Sequence, residues 1–155
     1  MTPQSSDTLF RAPQGENVWH QKQIIYYSFD LNSFLAITSF LDVSHIHNFG
    51  ISFGFFSGTF SPWFFIFVGI IITGIILYML IKSTNHIEKW GLTAIIAGAL
   101  SNIVDRTLNG YVIDFIYLHY KDFYWPAFNF ADIYISVGIC IIVFYLLRGL
   151  SKKIK

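Results

Sequence analysis

Two aspartates stand apart from the other acidic residues of this chain because of their surroundings. Asp114 is the only charged residue in the segment Tyr111 to Tyr120, which reads YVIDFIYLHY. Burying an unpaired carboxylate among such large apolar side chains is costly, so Asp114 should be protonated or paired. Asp132 follows 18 residues later and lies three residues beyond Asn129. If the fold brings the two carboxylates together, they are suited to acid–base chemistry.

The chemistry of such a pair follows from the cost of two adjacent negative charges. Two neighbouring carboxylates share one proton, so one can activate a water molecule while the other protonates a carbonyl or a leaving group, as in aspartic proteases. The spacing from Asn129 to Asp132 also predicts a helix cap, and the positive end of that helix favours an anionic Asp132. We therefore assign Asp132 as the base and Asp114 as the acid, and leave the reverse assignment open.

A second, weaker pattern would suit a serine nucleophile. The segment Gly50 to Gly54 reads GISFG and matches the GxSxG pattern, and Asp114 and His119 follow in the order Ser, Asp, His. The pattern is common by chance in glycine-rich stretches, and the sequence does not predict the α/β sheet that the nucleophile requires. We expect Ser52 to be a small packing residue.

Metal and redox chemistry are poorly supported by the sequence. His45 and His47 could lie on one face of a strand as metal ligands, but no third ligand is apparent and an HExxH motif is absent. Two polar residues near a membrane interface are the simpler interpretation. The single cysteine, Cys140, excludes an intrachain disulfide framework and a multi-cysteine zinc site. We therefore predict no metal and no cofactor.

The composition indicates what holds these residues in place. Of the 155 residues, 54% are hydrophobic and 12% are charged, whereas a soluble domain has about 25% charged residues. This composition is typical of an integral membrane protein. The net charge is +1 and no basic run alternates with aromatic residues, so a nucleic-acid partner is excluded.

Three apolar segments predict membrane-spanning helices. Trp63 to Ile81 contains 19 residues without a charge, which as a helix extend for about 28 Å and nearly match the hydrocarbon core of a bilayer. Trp90 to Val104 and Ile133 to Leu147 are shorter. Between Leu35 and Phe53 the chain alternates without helix signals, so we expect an extended, partly β segment over the outer surface. The fold class is therefore mostly α, a polytopic helical bundle with a small extracytoplasmic β segment.

Basic residues predict how this bundle is oriented. Two of them lie between the first and second spans and four follow the third: Lys82 and Lys89, then Arg148, Lys152, Lys153 and Lys155. By the positive-inside rule both groups are cytoplasmic. The loop from Asp105 to Asp132 should then face the outside, together with both aspartates.

Four motifs, taken together, resemble one protein family. HNFGISF at His47 to Phe53, NIVDR at Asn102 to Arg106, YVIDF at Tyr111 to Phe115 and FNFAD at Phe128 to Asp132 are similar, in this order, to motifs of the lipoprotein signal peptidase (signal peptidase II) family. The resemblance extends from about Phe34 to the C-terminus.

The resemblance implies a multi-pass aspartic endopeptidase of the bacterial inner membrane, with its active site facing the periplasm. Its substrates would be prolipoproteins, from which it would remove the signal peptide before the diacylglyceryl-modified cysteine. Membrane lipids and globomycin-type inhibitors are further implied partners. Asp114 and Asp132 would form the catalytic dyad, supported by Asn48, Gly50, Asn102, Asp105, Arg106 and Asn129.

The sequence departs from the family near its start. The family has four spans, whereas Met1 to about Leu31 contains no uninterrupted apolar helix, and Asp30 and Asn32 interrupt the best candidate, Gln23 to Leu41. We expect residues 1–22 to be a flexible segment and residues 23–155 to form a single membrane-embedded peptidase domain. Two alternatives stay open: a catalytically impaired homologue, and a small transporter or proton relay that uses the same aspartates.

Overall fold

The architecture is a helical bundle with a small antiparallel sheet at one end. The computed structural model describes residues 30–31, 34–50 and 59–153, so the segment 1–22 and Ser52, about which the sequence makes predictions, lie outside the described residues. The elements are β1 (Phe34–Ala36), β2 (Leu41–Asn48), α1 (Pro62–Lys82), α2 (His86–Asn109), β3 (Val112–Tyr120), β4 (Phe123–Tyr124) and α3 (Phe130–Lys153). The prediction of a mostly helical fold with a small β segment is confirmed.

Helix α1 contains the long uncharged segment predicted from the sequence. Pro62 occupies its first turn, where the missing N–H group is not needed. After Lys82 the backbone N–H of Ser83 donates a hydrogen bond to the Met79 carbonyl at 2.9 Å and ends the helix. Large apolar side chains cover its outer surface; Trp63, for example, is 69% exposed. Such a surface is stable only against lipid or protein.

Helix α2 begins and ends at residues suited to those positions. The side-chain oxygen of Asn85 accepts hydrogen bonds from two backbone N–H groups of the first turn, at 2.9 and 3.2 Å. At the other end Gly110 has a φ of 81°, in the left-handed region, and its N–H donates to the Arg106 carbonyl at 3.0 Å. Glycine adopts this conformation without strain, so the chain can leave the helix sharply.

Helices α2 and α3 pack in antiparallel orientation through glycines. A β-carbon added at Gly98 would lie 2.4 Å from the Ala131 carbonyl oxygen, and one added at Gly138 would lie 2.6 Å from the Gly91 carbonyl oxygen. Any larger residue would force the backbones apart. This close contact fixes the start of α3, and Asp132 with it, against α2.

The predicted number of spans is confirmed only in part. By length and composition, two of the described helices could cross a membrane: α1 and the Phe130–Gly149 part of α3. Helix α2 is long enough, but it carries charged residues in its first and last turns. The second of the three predicted spans, Trp90 to Val104, therefore stays a prediction.

The sheet has the strand order β1-β2-β3-β4 and is antiparallel throughout. The predicted extended segment is confirmed over β1 and β2; residues 51–53 lie outside the described residues. In contrast, the interpretation of Asp105 to Asp132 as a loop was wrong, because β3 and β4 lie within it. Strand β3 has apolar side chains on both faces, so it lacks the alternation that predicts a half-exposed strand.

The pairing of β2 with β3 contains an irregularity close to Asp114. Val43 lies opposite Ile116 and Ile46 opposite Asp114, so three steps along β2 match two steps along β3. A bulge of this kind redirects the side chains that follow it. Beyond the bulge, Asn48 lies opposite Val112, at the end of β2 nearest the aspartate.

Candidate active site

Asp114 lies in β3 and is almost fully buried, with 3% of its surface exposed. Both of its carboxylate oxygens accept hydrogen bonds from asparagine amides. Asn48 on β2 donates to Oδ2 at 2.9 Å, and Asn129 donates to Oδ1 at 2.7 Å. The buried carboxylate is therefore compensated by donors from two other parts of the chain.

Asp132 lies in the first turn of α3. Its Oδ1 accepts from the Asn102 side chain at 3.0 Å, and its Oδ2 accepts from the backbone N–H of Asn129 at 3.1 Å. In return, the Asn129 side-chain oxygen accepts from the backbone N–H groups of Ala131 and Asp132, at 2.7 and 3.3 Å. The helix cap predicted from the sequence is present, with bonds in both directions.

Asn129 connects the two aspartates. Its side-chain nitrogen donates to Asp114 while its backbone nitrogen donates to Asp132. The residue is fully buried, and its side-chain nitrogen also lies 3.5 Å from the Asn102 oxygen. One side chain thus fixes the strand aspartate relative to the helix aspartate, a role beyond the helix cap that its spacing predicts.

Arg106 ties α2 to the segment after β2. Its guanidinium donates to the Gly50 carbonyl at 2.6 Å and to the Asn102 carbonyl at 3.3 Å. Burial lowers the pKa of its guanidinium, and the nearby carboxylates of Asp114, Asp132 and Asp105 partly oppose this shift. The Gly50 N–H in turn donates to the Asn48 side chain at 2.9 Å, which places Gly50 directly behind a donor to Asp114.

Asp105 faces a different direction from the other two polar residues of its helix. The sequence predicts Asn102, Asp105 and Arg106 on one helical face. In the structure Asn102 contacts Asp132, whereas Asp105 is fully buried against β3, where its Oδ2 lies 3.5 Å from the backbone nitrogen of Ile113. Asp105 therefore supports the strand that carries Asp114.

A cleft of about 460 Å³ opens beside the dyad. Both carboxylates and mainly apolar side chains line it: Asp114, Trp125, Ala127, Phe128, Asp132, Ile133, Ser136 and Val137. The cleft can therefore accept a largely apolar substrate whose polar groups lie next to the carboxylates of Asp114 and Asp132. The sequence interpretation did not identify Ser136, although it lies four residues after Asp132 and hence on the same helical face.

The two histidines of β2 contact each other. Their Nε2 atoms are 3.1 Å apart, and the His47 ring stacks on Tyr111 with ring centres 3.7 Å apart. Partial burial lowers the pKa of His47, and His45 lowers it further. In residues 30–31, 34–50 and 59–153, no group of three potential metal ligands is found.

Two residues of the alternative serine pattern, Asp114 and His119, have different partners in the structure. The His119 ring contacts the Asp42 carboxylate at 3.4 Å, whereas Asp114 accepts from Asn48 and Asn129. Ser52 lies outside the described residues. The geometry of the described residues therefore supports a pair of aspartates.

Comparisons with known proteins agree with these observations. The sequence model of a family described as "Signal peptidase (SPase) II" matches residues 19–148. A lipoprotein signal peptidase of Thermodesulfovibrio yellowstonii is 46% identical over 110 residues, which cover 71% of this chain and 73% of the relative. One of Cellvibrio japonicus is 34% identical over 139 residues, covering 87% and 79%.

A solved structure is also similar. It is a bacterial membrane enzyme determined by the in meso method at 2.3 Å resolution. The two chains superpose with a TM-score of 0.79 at 31% sequence identity, over 86% of this chain and 82% of the other. The similarity therefore extends from the sequence to the arrangement of helices and sheet.

Proposed function

Because this chain belongs to the signal peptidase II family, whose members are lipoprotein signal peptidases, we propose that Asp114 and Asp132 are its catalytic dyad. The enzyme is then an aspartic endopeptidase. Its substrate is a prolipoprotein, cut just before the diacylglyceryl-modified cysteine. One observation carries the proposal: two carboxylates from distant parts of the chain line one cleft and are bridged by a single buried asparagine.

The first step is attack by water on the scissile carbonyl. Asp132 takes a proton from the water as its oxygen bonds to the carbonyl carbon, and Asp114 gives its proton to the carbonyl oxygen. The positive end of α3 stabilises the carboxylate of Asp132 before the reaction. The tetrahedral intermediate is neutral, and the proton held by the dyad has moved from Asp114 to Asp132.

The second step breaks the peptide bond. Asp132 returns its proton to the departing nitrogen of the modified cysteine, while Asp114 regains the hydroxyl proton as the carbonyl re-forms. The products are a signal peptide with a new carboxyl end and a lipoprotein with a free amine. The dyad finishes in its starting protonation state.

The polar residues around the dyad act as positioning residues. Asn48, Asn102 and Asn129 fix the directions of the carboxylates through the bonds described above. Arg106 holds the Gly50 carbonyl, which orders the segment behind Asn48, and Asp105 supports β3. Neither a metal nor an organic cofactor takes part in this scheme.

We further propose that the dyad faces the periplasm from the bacterial inner membrane. Helices α1 and α2 are antiparallel, since Gly69 faces Ile103 and Pro62 lies near Gly110. The dyad therefore lies at the opposite end of the bundle from Lys82 and Arg148, which supports a cytoplasmic location for these two residues. Globomycin-type inhibitors are expected to occupy the cleft.

The decisive experiment is cleavage of a lipidated prolipoprotein by the purified chain in lipid. Asp114→Asn and Asp132→Asn nearly keep the side-chain shape but remove the proton exchange, so each is expected to abolish cleavage, and the double variant to be scarcely worse. Asp122→Asn, in the exposed turn between β3 and β4, is the matched control and should be fully active. Near-normal cleavage by Asp114→Asn would overturn the aspartic mechanism, and an inactive unmutated chain would favour the impaired homologue.

The orientation has its own test. In a Cys140→Ala background, Lys82→Cys and Lys121→Cys are each treated with a membrane-impermeant thiol reagent. Lys82→Cys should react in inverted vesicles, and Lys121→Cys should react in right-side-out vesicles. Reaction of both cysteines from the same side would contradict the proposed topology.

Ser52→Ala and a metal chelator should leave cleavage intact, because neither a serine nucleophile nor a metal takes part in the proposed mechanism.

A further inference from the structure

The cleft beside the dyad continues along α3, away from the sheet. Asp132 borders it in the first turn of the helix, and Ser136 and Val137 border it one turn later. At about 1.5 Å per residue, Ser136 lies roughly 6 Å beyond Asp132 along the helix axis. All three residues belong to the part of α3 that could cross a membrane. The cleft therefore extends from the carboxylates along the segment that we propose to lie in the bilayer.

Ser136 is the chemically unusual residue of this extension. Its neighbours in the lining are Ile133 and Val137, whereas Ser136 brings a hydroxyl. Its side chain is exposed, and it lines the cleft. A hydroxyl placed in apolar surroundings costs free energy unless it finds a hydrogen-bond partner. A ligand with an acceptor at this depth would supply that partner.

The proposed substrate carries such an acceptor. The polar zone of a bilayer is about 5 to 7 Å thick on each side, so a residue one helical turn below an interfacial dyad lies close to the depth of lipid ester carbonyls. The scissile bond directly precedes the diacylglyceryl-modified cysteine, so these esters lie about one side-chain length from the dyad. The extension of the cleft thus runs in the direction that the lipid must take.

We propose that Ser136 is a specificity-determining residue that donates a hydrogen bond to an ester carbonyl of the substrate's diacylglyceryl group. This inference rests on the proposed function and adds a recognition contact to it. Ser136 takes no part in proton transfer, and its contribution is confined to substrates that present an ester carbonyl. Any selectivity for the length or saturation of the substrate's acyl chains is attributed to the apolar residues of the cleft.

The test pairs an altered enzyme with an altered substrate. Two prolipoprotein peptides are compared, one with the diacylglyceryl group and one with an ether-linked dialkylglyceryl group, which lacks the carbonyls. For the unmutated enzyme, kcat/KM should be about three- to tenfold higher with the ester substrate, the range expected of one hydrogen bond. Ser136→Ala should lose this preference while cleaving the ether substrate as well as the unmutated enzyme does.

Control variants separate recognition from structure. Tyr134→Phe removes a hydroxyl from the same helix at a position outside the cleft lining and should keep the ester preference. An unchanged preference in Ser136→Ala, or an equal loss on both substrates, would overturn the role of Ser136 while leaving the dyad intact. If the unmutated enzyme cleaves neither peptide, or if Asp114→Asn cleaves them, the proposed function fails and this inference fails with it.

Discussion

The two aspartates reach the same cleft from different kinds of structure. Asp114 lies within a strand, and its position depends on the pairing of β3 with β2 and on the bulge in that pairing. Asp132 lies in the first turn of a helix, and its position depends on a local cap and on the contact between α2 and α3. The strand side is therefore built from residues distant in sequence, whereas the helix side combines a local cap with a contact to α2.

This difference determines which substitutions affect one aspartate and which affect both. The Asn48 amide contacts Asp114, and the Asn102 amide contacts Asp132. Asn129 contacts both. The two sides can thus be perturbed separately or together, and the expected effects differ in size.

Among the residues that position the two aspartates, the largest effect is expected when the bridge is removed. Asn129→Ala deletes the donor to Asp114 and the oxygen that caps α3, and it leaves a buried carboxylate with one fewer partner. Hydrogen bonds to charged groups contribute about 1.5 to 3 kcal/mol, roughly 10- to 150-fold, and the lost cap also frees the start of α3 with Asp132, so kcat should fall by about 100-fold. The cap accounts for about 1 kcal/mol of stability. Cleavage kinetics and thermal unfolding in detergent measure the two effects.

A control at another helix cap separates activity from stability. Asn85→Ala removes the cap of α2 at the opposite end of the bundle and should lower stability by a similar amount without a comparable loss of kcat. If Asn85→Ala and Asn129→Ala reduce kcat equally, the bridge between the aspartates has no special role.

The second effect concerns the helix side alone. Gly98→Ala would bring a β-carbon to 2.4 Å from the Ala131 carbonyl oxygen, directly beside Asp132, so α3 must shift. Overpacking of this kind costs about 1 to 3 kcal/mol. Gly74→Ala in α1 is the matched control, because a β-carbon there meets nothing within 4 Å. Thermal unfolding should show a lower midpoint for Gly98→Ala only, and equal midpoints would contradict the close packing of α2 and α3.

The same contrast explains what could be predicted from the sequence. Asn129 and Asp132 are three residues apart, so their hydrogen bonds follow from local helix geometry and were predicted. The pairing of Asp114 with Asn48 joins residues 66 positions apart and depends on a strand whose apolar residues face both ways. Nothing in the local pattern reveals that strand. The sequence motifs indicated the family, but the distances between the site residues could be obtained only from the three-dimensional structure.

The uncharged length of α1 was similarly predictable, whereas the character of α2 was not. Trp63 to Ile81 matched a helix closely because composition alone defines such a segment. In α2 the polar residues of the last turn contact the site and the sheet, and they reduce the hydropathy by which a span is recognised. A helix that contacts both lipid and an active site is harder to recognise as a membrane span from its sequence.

The third effect concerns the strand side. Asn48→Ala removes the β2 donor to Asp114 and also the acceptor for the Gly50 N–H. Asp114 keeps its bond from Asn129, so we expect a loss of about tenfold in kcat, as for one hydrogen bond to a charged group. Asn109→Ala is the control, since its amide nitrogen has no hydrogen-bond partner within the described part of the chain. Unchanged kcat in Asn48→Ala would show that β2 is dispensable for positioning Asp114.

The smallest effect is a pH dependence that also originates in β2. Burial and His45 lower the pKa of His47 below its ordinary value of 6.5. At pH values around and below 6.5, the unfolded chain therefore binds a proton at this residue more readily than the folded chain does. Stability should therefore fall as the pH drops below about 6.5, and this contribution should be absent above that pH. His47→Phe keeps a ring on Tyr111 but cannot take up the proton, so its unfolding midpoint should change less between pH 7.5 and 5.5. Identical pH profiles for the two proteins would exclude His47 as the source.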